Sequence, residues 1–450
     1  MQKLIIRLLF ILAGMAFANV YGQNITFNHL TTDNGLSQFS VNSLYIDESG
    51  ILWIGTREGL NRYNGEDIKT YKLQKNDPNS LFCNTVLRIV GNRNGSIYLL
   101  CTDGVAEFNL ITQKFTTLLQ GSINSIYYNN GLFIGKKNEV YQYNEETANF
   151  DLYYQLPNGS LDIFCMHIDK GYLWIGTTTN GVYRLNIDKK ELEHPIRKGN
   201  IISFYRDSGG ELWIGSWEEG LFHVKTNGKI ENFKYDAKNP HSLHPYVSPV
   251  DNQKTYENDV VIGLVKGAYN CLYVGSLKGG VKELNLTSNK LHDLLSEDEN
   301  GESVFCRELL VASDNELWIG AESGLYIYNL RMGKYVHLRS SINDPYSLSD
   351  NAIYSLCKDR EGGIWIGSYF GGVNYYPRFY TYFEKYYPKG TDNGLHGKRV
   401  REFCQDNQGI LWIGTEDGGL NRFNPKTKTF SFFTPSSAFT NVHEIGRAHV

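Results

Sequence analysis

A short tryptophan–glycine motif recurs along the chain and constrains its fold more than any other feature. The clearest copy is ILWIGTREGLNRYN at Ile51–Asn64, and the other copies are recognised by an aromatic residue at the same place. These anchor residues are Trp53, Tyr98, Phe133, Trp174, Trp213, Tyr273, Trp318, Trp365 and Trp412. Units of this length that contain only short strands are typical of propeller blades, so we predict an all-β chain of four-stranded antiparallel β-propeller blades.

Each unit divides into four short strands separated by turn residues. No segment shows a helical hydrophobic period. The anchor is predicted to pack between neighbouring blades, and the glycine two positions after it to permit a close approach of another backbone or ring. In the first unit the predicted strands are Val41–Asp47, Ile51–Thr56, Leu60–Tyr63 and Ile68–Leu73.

A long internal match bears on the domain organisation. Thr32–Gly55 aligns without a gap to Thr391–Gly414, as if the chain began a second ring. We therefore predict a first propeller over residues 23–388 and the first blade of a second, truncated propeller over 389–443. Because seven blades are common in propellers, we expect seven. Eight units precede the restart, so an eight-bladed ring, a ring without the first unit, and a ring that closes at Trp318 all stay open.

The two ends of the chain differ from the repeats. Residues 1–22 have the features of a secretory signal peptide, with Lys3 and Arg7 before the apolar stretch Leu8–Phe17. An uncleaved anchor is the alternative. Export would place the protein in the periplasm. The last residues, 444–450, fit no repeat, and we interpret them as a non-native tail on a truncated chain; a natural loop is the alternative.

Composition and motifs argue against several classes of function. The net charge is −4 and shows no basic stripe, so no nucleic-acid partner is expected. The eleven histidines and seven cysteines form no metal-binding spacing, and no catalytic or cofactor motif occurs. We therefore expect no metal, no cofactor and no catalytic residue. The four cysteines that precede an anchor by 8 to 12 positions are predicted to be small core fillers: Cys165, Cys306, Cys357 and Cys404.

Several stretches resemble the periplasmic sensor region of hybrid two-component systems of Bacteroides-type bacteria. They are FNHLTTDNGLS at Phe27–Ser37, DESGILWIGTREGLNRYNG at Asp47–Gly65 and the restart at Gly397–Phe430. The resemblance implies two propellers followed by a membrane helix, a histidine kinase and a DNA-binding module in an intact homodimeric receptor. It also implies that the ligand is an oligosaccharide and that the output is control of carbohydrate-utilisation genes. For this chain it implies ligand sensing without catalysis.

Candidate ligand contacts lie in the turn between the second and third strands, where the repeats vary most. Exposed aromatic side chains at this position can stack on sugar rings, while nearby charges bind hydroxyl groups. Packing against a neighbouring blade is the alternative for the aromatic residues, and His244 and Tyr246 in a long loop are further candidates. A glycan-active enzyme and a protein-binding scaffold remain the rival functions. The predicted contacts are Arg57, Glu58, Trp217, Glu218, Lys278, Tyr369 and Phe370.

Overall fold

The computed structural model describes residues 25–91, 95–157, 161–247, 255–256, 260–268, 270–378, 385–388 and 393–433. The predicted signal peptide and the predicted foreign tail lie outside these ranges. Apart from one 3-10 turn at Thr32–Asn34, the regular elements of the described residues are β-strands. None of the helical structure in these ranges is long and apolar enough to cross a membrane.

The strands form four-stranded antiparallel sheets, one for each repeat, in which sequence neighbours are paired. The strands of blades 1 to 4 are β2 Val41–Ile46, β3 Leu52–Thr56, β4 Gly59–Tyr63, β5 Ile68–Tyr71; β6 Val86–Gly91, β7 Ser96–Cys101, β8 Gly104–Asn109, β9 Lys114–Gln120; β10 Ser125–Tyr128, β11 Leu132–Lys136, β12 Glu139–Asn144, β13 Asn149–Gln155; β14 Ile163–Asp169, β15 Tyr172–Thr177, β16 Val182–Asn186 and β17 Leu192–Ile196. The four predicted strands of the first unit are confirmed to within two residues at each end.

Blades 5 to 8 follow the same plan, and a longer connection between blades 5 and 6 holds the short pair β22 Tyr246–Val247 and β23 Thr255–Tyr256. Their strands are β18 Asn200–Arg206, β19 Leu212–Trp217, β20 Leu221–Val224, β21 Ile230–Phe233; β24 Val261–Lys266, β25 Cys271–Ser276, β26 Gly280–Asn285, β27 Lys290–Leu295; β28 Cys306–Ser313, β29 Glu316–Ala321, β30 Gly324–Asn329, β31 Lys334–Leu338; β32 Ile353–Lys358, β33 Ile364–Ser368 and β34 Val373–Tyr376.

The ring closes with eight blades, so the expected number of seven is wrong. The first strand of each blade contacts the first strands of the two neighbouring blades, and the strand of blade 8 contacts that of blade 1. Blade 8 has only three strands from its own repeat. Its fourth is the amino-terminal strand β1 Asn28–Leu30, which pairs with β34 through His29 and Asn374. This long-range pairing joins the start of the ring to its end and keeps the first repeat inside it.

The hydrophobic core lies between the blades, as the anchor motif predicts. The Trp53 ring centre lies 5.2 Å from that of Phe108 in blade 2, and both side chains belong to one buried cluster. Trp318 packs in the same way against Tyr376 of blade 8, at 5.1 Å. The anchors of the eight-bladed ring are all buried. Burial of rings this large contributes several kcal/mol at each junction between blades.

An aspartate stands six residues before several anchors, and its carboxylate accepts hydrogen bonds both from the anchor and from the turn that precedes the anchor strand. Asp47 Oδ2 accepts a hydrogen bond from Trp53 Nε1 at 2.8 Å, and its Oδ1 accepts from the backbone N–H groups of Ser49 and Ile51. Equivalent bonds join Asp207 to Trp213, Asp359 to Trp365 and Asp406 to Trp412. The aspartate therefore ties the turn between the first and second strands to the core.

A ninth sheet follows the ring and contains β35 Val400–Gln405, β36 Leu411–Thr415, β37 Gly419–Asn424 and β38 Thr429–Phe433. Every residue of β35 is exposed, and among the described residues the extensive contacts of this strand are with β36 of its own sheet. Cys404 is consequently exposed, and its predicted role as a core filler is wrong. Cys165 and Cys306, at the corresponding strands of the ring, are buried as predicted, and Cys357 is half-buried.

Candidate functional site

The turns between second and third strands and the connections between blades share one face of the ring, here called the loop face. On this face four side chains from blades 1, 8 and 7 form a continuous column, here called the Arg–Tyr stack. The Arg57 guanidinium lies 4.8 Å from the ring centre of Tyr369 and donates to its hydroxyl at 2.7 Å. Tyr369 stacks on Tyr354 at 5.1 Å, and the Arg307 guanidinium lies 5.0 Å from the Tyr354 ring centre.

Two further side chains complete the surroundings of the stack. Glu322 accepts hydrogen bonds from Arg307 Nε at 2.7 Å and from the Tyr354 hydroxyl at 3.3 Å. Phe370 packs edge-on against Tyr369 with ring centres 4.4 Å apart, yet 66% of Phe370 remains exposed. The column is therefore held in place by cation–π, stacking and ionic contacts. An aromatic face and guanidinium donors are left beside open solvent, where a ring-shaped polar ligand can stack and form hydrogen bonds.

The structure unites only some of the residues predicted from the sequence. Arg57, Tyr369 and Phe370 come together at the junction of blades 1 and 8, and Glu58 follows Arg57 in the same turn. The other three predicted residues lie further around the ring. They are Lys278 in blade 6, and Trp217 and Glu218 in blade 5.

The aromatic candidates keep accessible surface. Trp217 is 39% exposed at the end of its strand, and Phe370 more so. Glu218, the next residue after Trp217, has a positive φ of 72°, which shapes a tight turn at this point. The Lys278 ammonium lies 5.5 Å from the ring centre of Phe305 and is thereby directed toward blade 7. Trp217 and Phe370 therefore both keep ring surface that is not covered by neighbouring residues.

Sequence reasoning missed Tyr354 and Arg307, which occupy a recurring β-bulge in the innermost strand. The pairing register of this strand skips one residue in blades 1, 2, 4, 5, 6, 7 and 8. Bulges turn a side chain away from the regular alternation, often at functional sites. The signal was present in the sequence, since the skipped residue stands ten or eleven positions before the anchor. The skipped residues are Asn42, Leu87, Phe164, Ile202, Ile262, Arg307 and Tyr354.

The innermost strands surround the central channel of the ring, and the bulge residues lie at the start of these strands, at the mouth of the channel. They give this mouth two chemically different sides. Blades 7, 8 and 1 contribute Arg307, Tyr354 and Asn42, whereas blades 2, 4, 5 and 6 contribute aliphatic or aromatic side chains. Of these, Leu87 is 41% exposed and Phe164 is 44% exposed. A ligand with both apolar and polar faces fits such a mouth better than a purely ionic one does.

One carboxyl group of the innermost strands has a perturbed pKa. Burial raises the pKa of Glu308 in blade 7 to about 7, and the Arg88 charge of blade 2 lowers it only in part. Because Glu308 is protonated in the folded chain at a pH where it ionises in the unfolded chain, ionisation favours unfolding.

We expect the pH dependence of stability to change in Glu308→Gln. Below the ordinary carboxyl pKa the group is protonated in both states and contributes no difference. As the pH rises through about 7, the free energy of unfolding of wild type should fall by roughly 1–2 kcal/mol relative to that of Glu308→Gln. This is less than the full pKa shift of Glu308 implies, because water reaches part of the side chain. Denaturant unfolding at pH 5 and pH 8 measures this. Glu48→Gln, in an exposed turn, is the control, and parallel pH profiles for wild type and Glu308→Gln would contradict the prediction.

Other polar clusters are engaged in structural contacts. In the long connection, His244 Nε2 lies 2.8 Å from Asp293, and the His244 and Lys282 contacts hold the Asp293 pKa well below its usual range. Tyr246 lies in a two-residue strand, and its side chain is outside what the structure describes. Two groups of histidine and carboxylate have ligand atoms close enough for a metal ion, namely Asp207, Glu211 and His223, and Asp298, Glu299 and His337.

Both groups are already used within the protein. Asp207 accepts from its anchor Trp213 at 2.8 Å, and His223 pairs with Glu211 at 2.6 Å. In the second group Arg339 lies 3.0 Å from Asp298 and neutralises it.

The fold and the loop face define a β-propeller whose variable turns carry exposed aromatic and cationic groups. The family model described as two component regulator propeller matches residues 35–58, 195–218, 347–370 and 394–417. Three of these segments end at the turns that hold Glu58, Glu218 and Phe370. The match to the family model is confined to these four segments, and it confirms the resemblance inferred from the sequence.

Two similar proteins match this chain over very different lengths. Histidine kinase P4 of Formosa agariphila is 41% identical over 58 residues, which are 13% of this chain and only 4% of that protein. Among solved structures, the extracellular domain of a protein described as the hybrid two component system BT3049 of B. thetaiotaomicron matches 92% of this chain and 67% of that one, with 19% identity and a TM-score of 0.46.

A second solved structure supports the fold alone. Sqt1 of Saccharomyces cerevisiae matches 78% of this chain and 98% of its own, with 10% identity and a TM-score of 0.55. At this identity the likeness shows the arrangement of the sheets and nothing about the ligand.

Proposed function

We propose that this chain is the periplasmic ligand-sensing region of a hybrid two-component sensor histidine kinase, and that it binds an oligosaccharide on the loop face. The family repeats and the histidine kinase relative support the receptor class. The observation that carries the ligand proposal is the Arg–Tyr stack, with the exposed ring of Phe370 beside it.

The chemistry of the stack suits a sugar. Pyranose rings present C–H groups that pack on aromatic faces, and their hydroxyl groups accept hydrogen bonds from guanidinium donors. Arg57 and Tyr369 belong to different blades, so a bound ligand would bridge the junction at which the ring closes. In the intact homodimeric receptor, binding must favour one arrangement of the paired chains over another, because a ligand with equal affinity for both transmits nothing. The kinase, the phosphorelay and the regulated carbohydrate-utilisation genes belong to that intact receptor.

Titration calorimetry with a panel of plant and host oligosaccharides tests the proposal. At least one oligosaccharide should release or absorb heat with a single-site isotherm. Tyr369→Ala, and separately Arg57→Ala, should then weaken the affinity by about 10–30-fold, because either change breaks the cation–π contact that holds the exposed Phe370 ring and the guanidinium donors in place.

Matched variants on the opposite face serve as controls. Arg331→Ala and Ile111→Ala change an exposed cation and an exposed apolar residue in turns between third and fourth strands, and both should bind like wild type. Absence of heat with every oligosaccharide, or unchanged affinity of Tyr369→Ala with an intact circular dichroism spectrum, would contradict the proposed site. Turnover of any glycan in the panel would instead identify an enzyme.

A further inference from the structure

Two cysteines lie close together at the junction of blades 1 and 2. Cys83, in the connection from blade 1, and Cys101, which ends β7 and pairs with Val86, belong to one buried cluster, and each thiol perturbs the pKa of the other. Both side chains are buried in the cluster between blades 1 and 2, with Cys101 fully enclosed and Cys83 7% exposed. Cys83 Sγ also lies 3.6 Å from the carbonyl oxygen of Thr85 and 3.9 Å from Thr102 Oγ1.

Five other blades of the ring have a hydroxyl group where blade 2 has Cys101, whereas blade 3 has Lys136 and blade 7 has Ala321. In blade 1 the equivalent residue is Thr56, whose hydroxyl donates to the carbonyl oxygen of Gly59 and lies 2.9 Å from the hydroxyl of Ser37 in the incoming connection. Hydroxyl groups make the same bond across the turn in four further blades of the ring: Thr177, Ser216, Ser276 and Ser368. A thiol is a weaker hydrogen-bonding group than a hydroxyl, so turn geometry alone does not explain a cysteine here.

We propose that Cys83 and Cys101 form a disulfide bond in an oxidising compartment, which clips the connection between blades 1 and 2 to the second blade. With a small disulfide oxidant such as oxidised glutathione, the Cys83 thiolate attacks one sulfur and releases one glutathione thiolate. The Cys101 thiolate then attacks the Cys83 sulfur, the intramolecular bond forms, and the second glutathione leaves. Two protein thiols are oxidised, one glutathione disulfide is reduced to two thiols, and the two protein protons pass to the glutathione thiolates.

The environment of the pair favours this exchange over reaction at the other buried thiols. Interaction with the Cys101 thiol lowers the pKa of Cys83 to about 6, so its thiolate, the attacking species, is present at neutral pH. The same interaction raises the pKa of Cys101. By contrast, burial raises the pKa of Cys165 to about 12 and that of Cys357 to about 11.

The proposed disulfide bond lies close to the turn of the loop face that carries Arg57. Thr85, two residues after Cys83, donates its hydroxyl to the backbone carbonyl of Arg57 at 3.1 Å. The clipped connection therefore supports the turn that starts the Arg–Tyr stack. Thiol counting tests the bond directly, so its outcome is independent of whether an oligosaccharide binds.

The test equilibrates the full chain, purified reduced, with oxidised and reduced glutathione, then quenches with acid, denatures and alkylates. Seven thiols are free in the reduced chain. In the oxidising buffer we expect a mass lower by about 2 Da, two fewer alkylated thiols, and a cross-linked peptide that contains Cys83 and Cys101. The oxidised chain should also melt several degrees above Cys83→Ser, because the bond restricts the unfolded chain.

Serine variants separate this bond from other thiol chemistry. Cys83→Ser and Cys101→Ser should each show no intramolecular cross-link, and Cys101→Ser retains the hydroxyl found in five other blades. Cys165→Ser should keep the Cys83–Cys101 peptide and lose one alkylated thiol in both buffers. Seven alkylated thiols in wild type at every glutathione ratio, or a cross-link between another pair, would overturn the proposal.

Discussion

Gly215→Ala should lower the free energy of unfolding by about 2–3 kcal/mol, because the added methyl group has no room between blades 5 and 6. A Cβ at this position would lie 2.8 Å from the backbone carbonyl oxygen of Val261 and 2.6 Å from Ser203 Oγ. The serine can rotate, but the carbonyl belongs to the innermost strand of the next blade. Relief would require the two blades to separate, and a closed ring resists that movement at every other junction.

The neighbouring innermost strand supplies a matched control. A Cβ at Gly263 would meet Leu309 at 3.7 Å, an ordinary van der Waals distance, and its φ is not in the left-handed region. Gly263→Ala should therefore be neutral or stabilise slightly by restricting the unfolded chain. Urea unfolding of both variants, followed by tryptophan fluorescence, gives the comparison. Equal midpoints for Gly215→Ala and Gly263→Ala would show that the blades do not depend on this close approach.

The same contact recurs at the other glycines that follow the anchors. A Cβ at Gly55 would lie 2.9 Å from Val86, and one at Gly320 would lie 2.8 Å from Ile353, each the first residue of the next blade's innermost strand. The sequence predicted a close approach at this position but left the partner open between a backbone and an aromatic ring. The partner is the start of the next blade, so the glycine sets the spacing between blades.

Local patterns in the sequence were sufficient for the strands but not for the number of blades. Strand alternation, turn residues and the anchors are properties of single repeats, and they located the four strands of the first unit. Closure depends on the pairing of β1 with β34 in blade 8, which joins residues near 29 and 374. Neither strand carries a local sign of its partner, and the fourth strand that blade 8 lacks is visible only once the sheets are assembled.

The sequence likewise predicted only part of the candidate site. Arg57 and Tyr369 were identified because both occupy the variable turn after the second strand. Tyr354 and Arg307 were missed because a bulge directs them out of the regular alternation of the innermost strand. Alternation in sequence indicates which residues face the core, and a bulge changes this assignment at one residue. Comparing the position eleven residues before each anchor would have revealed the chemical variation at the channel mouth.

Asp47→Ala should cost about 2–4 kcal/mol of stability, because it removes an acceptor shared by three donors. Asp47 is buried, with 6% of the residue exposed. Without it, Trp53 Nε1 is left buried and unbonded, and the backbone N–H groups of Ser49 and Ile51 lose their partner. Glu48→Ala changes an exposed carboxylate in the same turn and should stay within about 0.5 kcal/mol of wild type. Similar losses in the two variants, measured by urea unfolding, would contradict this account.

In two other blades of the ring the anchor tryptophan is buried without such an acceptor. The free energy lost at the anchor of blade 1 can therefore be measured separately from the free energy lost at the turn. Trp174 and Trp318 have buried indole N–H groups with no hydrogen-bond partner among the described residues, and Ile168 and Ala312 occupy the position of the aspartate. Trp53→Phe in the Asp47→Ala background removes the stranded N–H and should restore part of the loss. A double-mutant cycle should then give a coupling of about 1–2 kcal/mol between the two side chains. A coupling near zero would assign the cost of Asp47→Ala to the turn and not to the anchor.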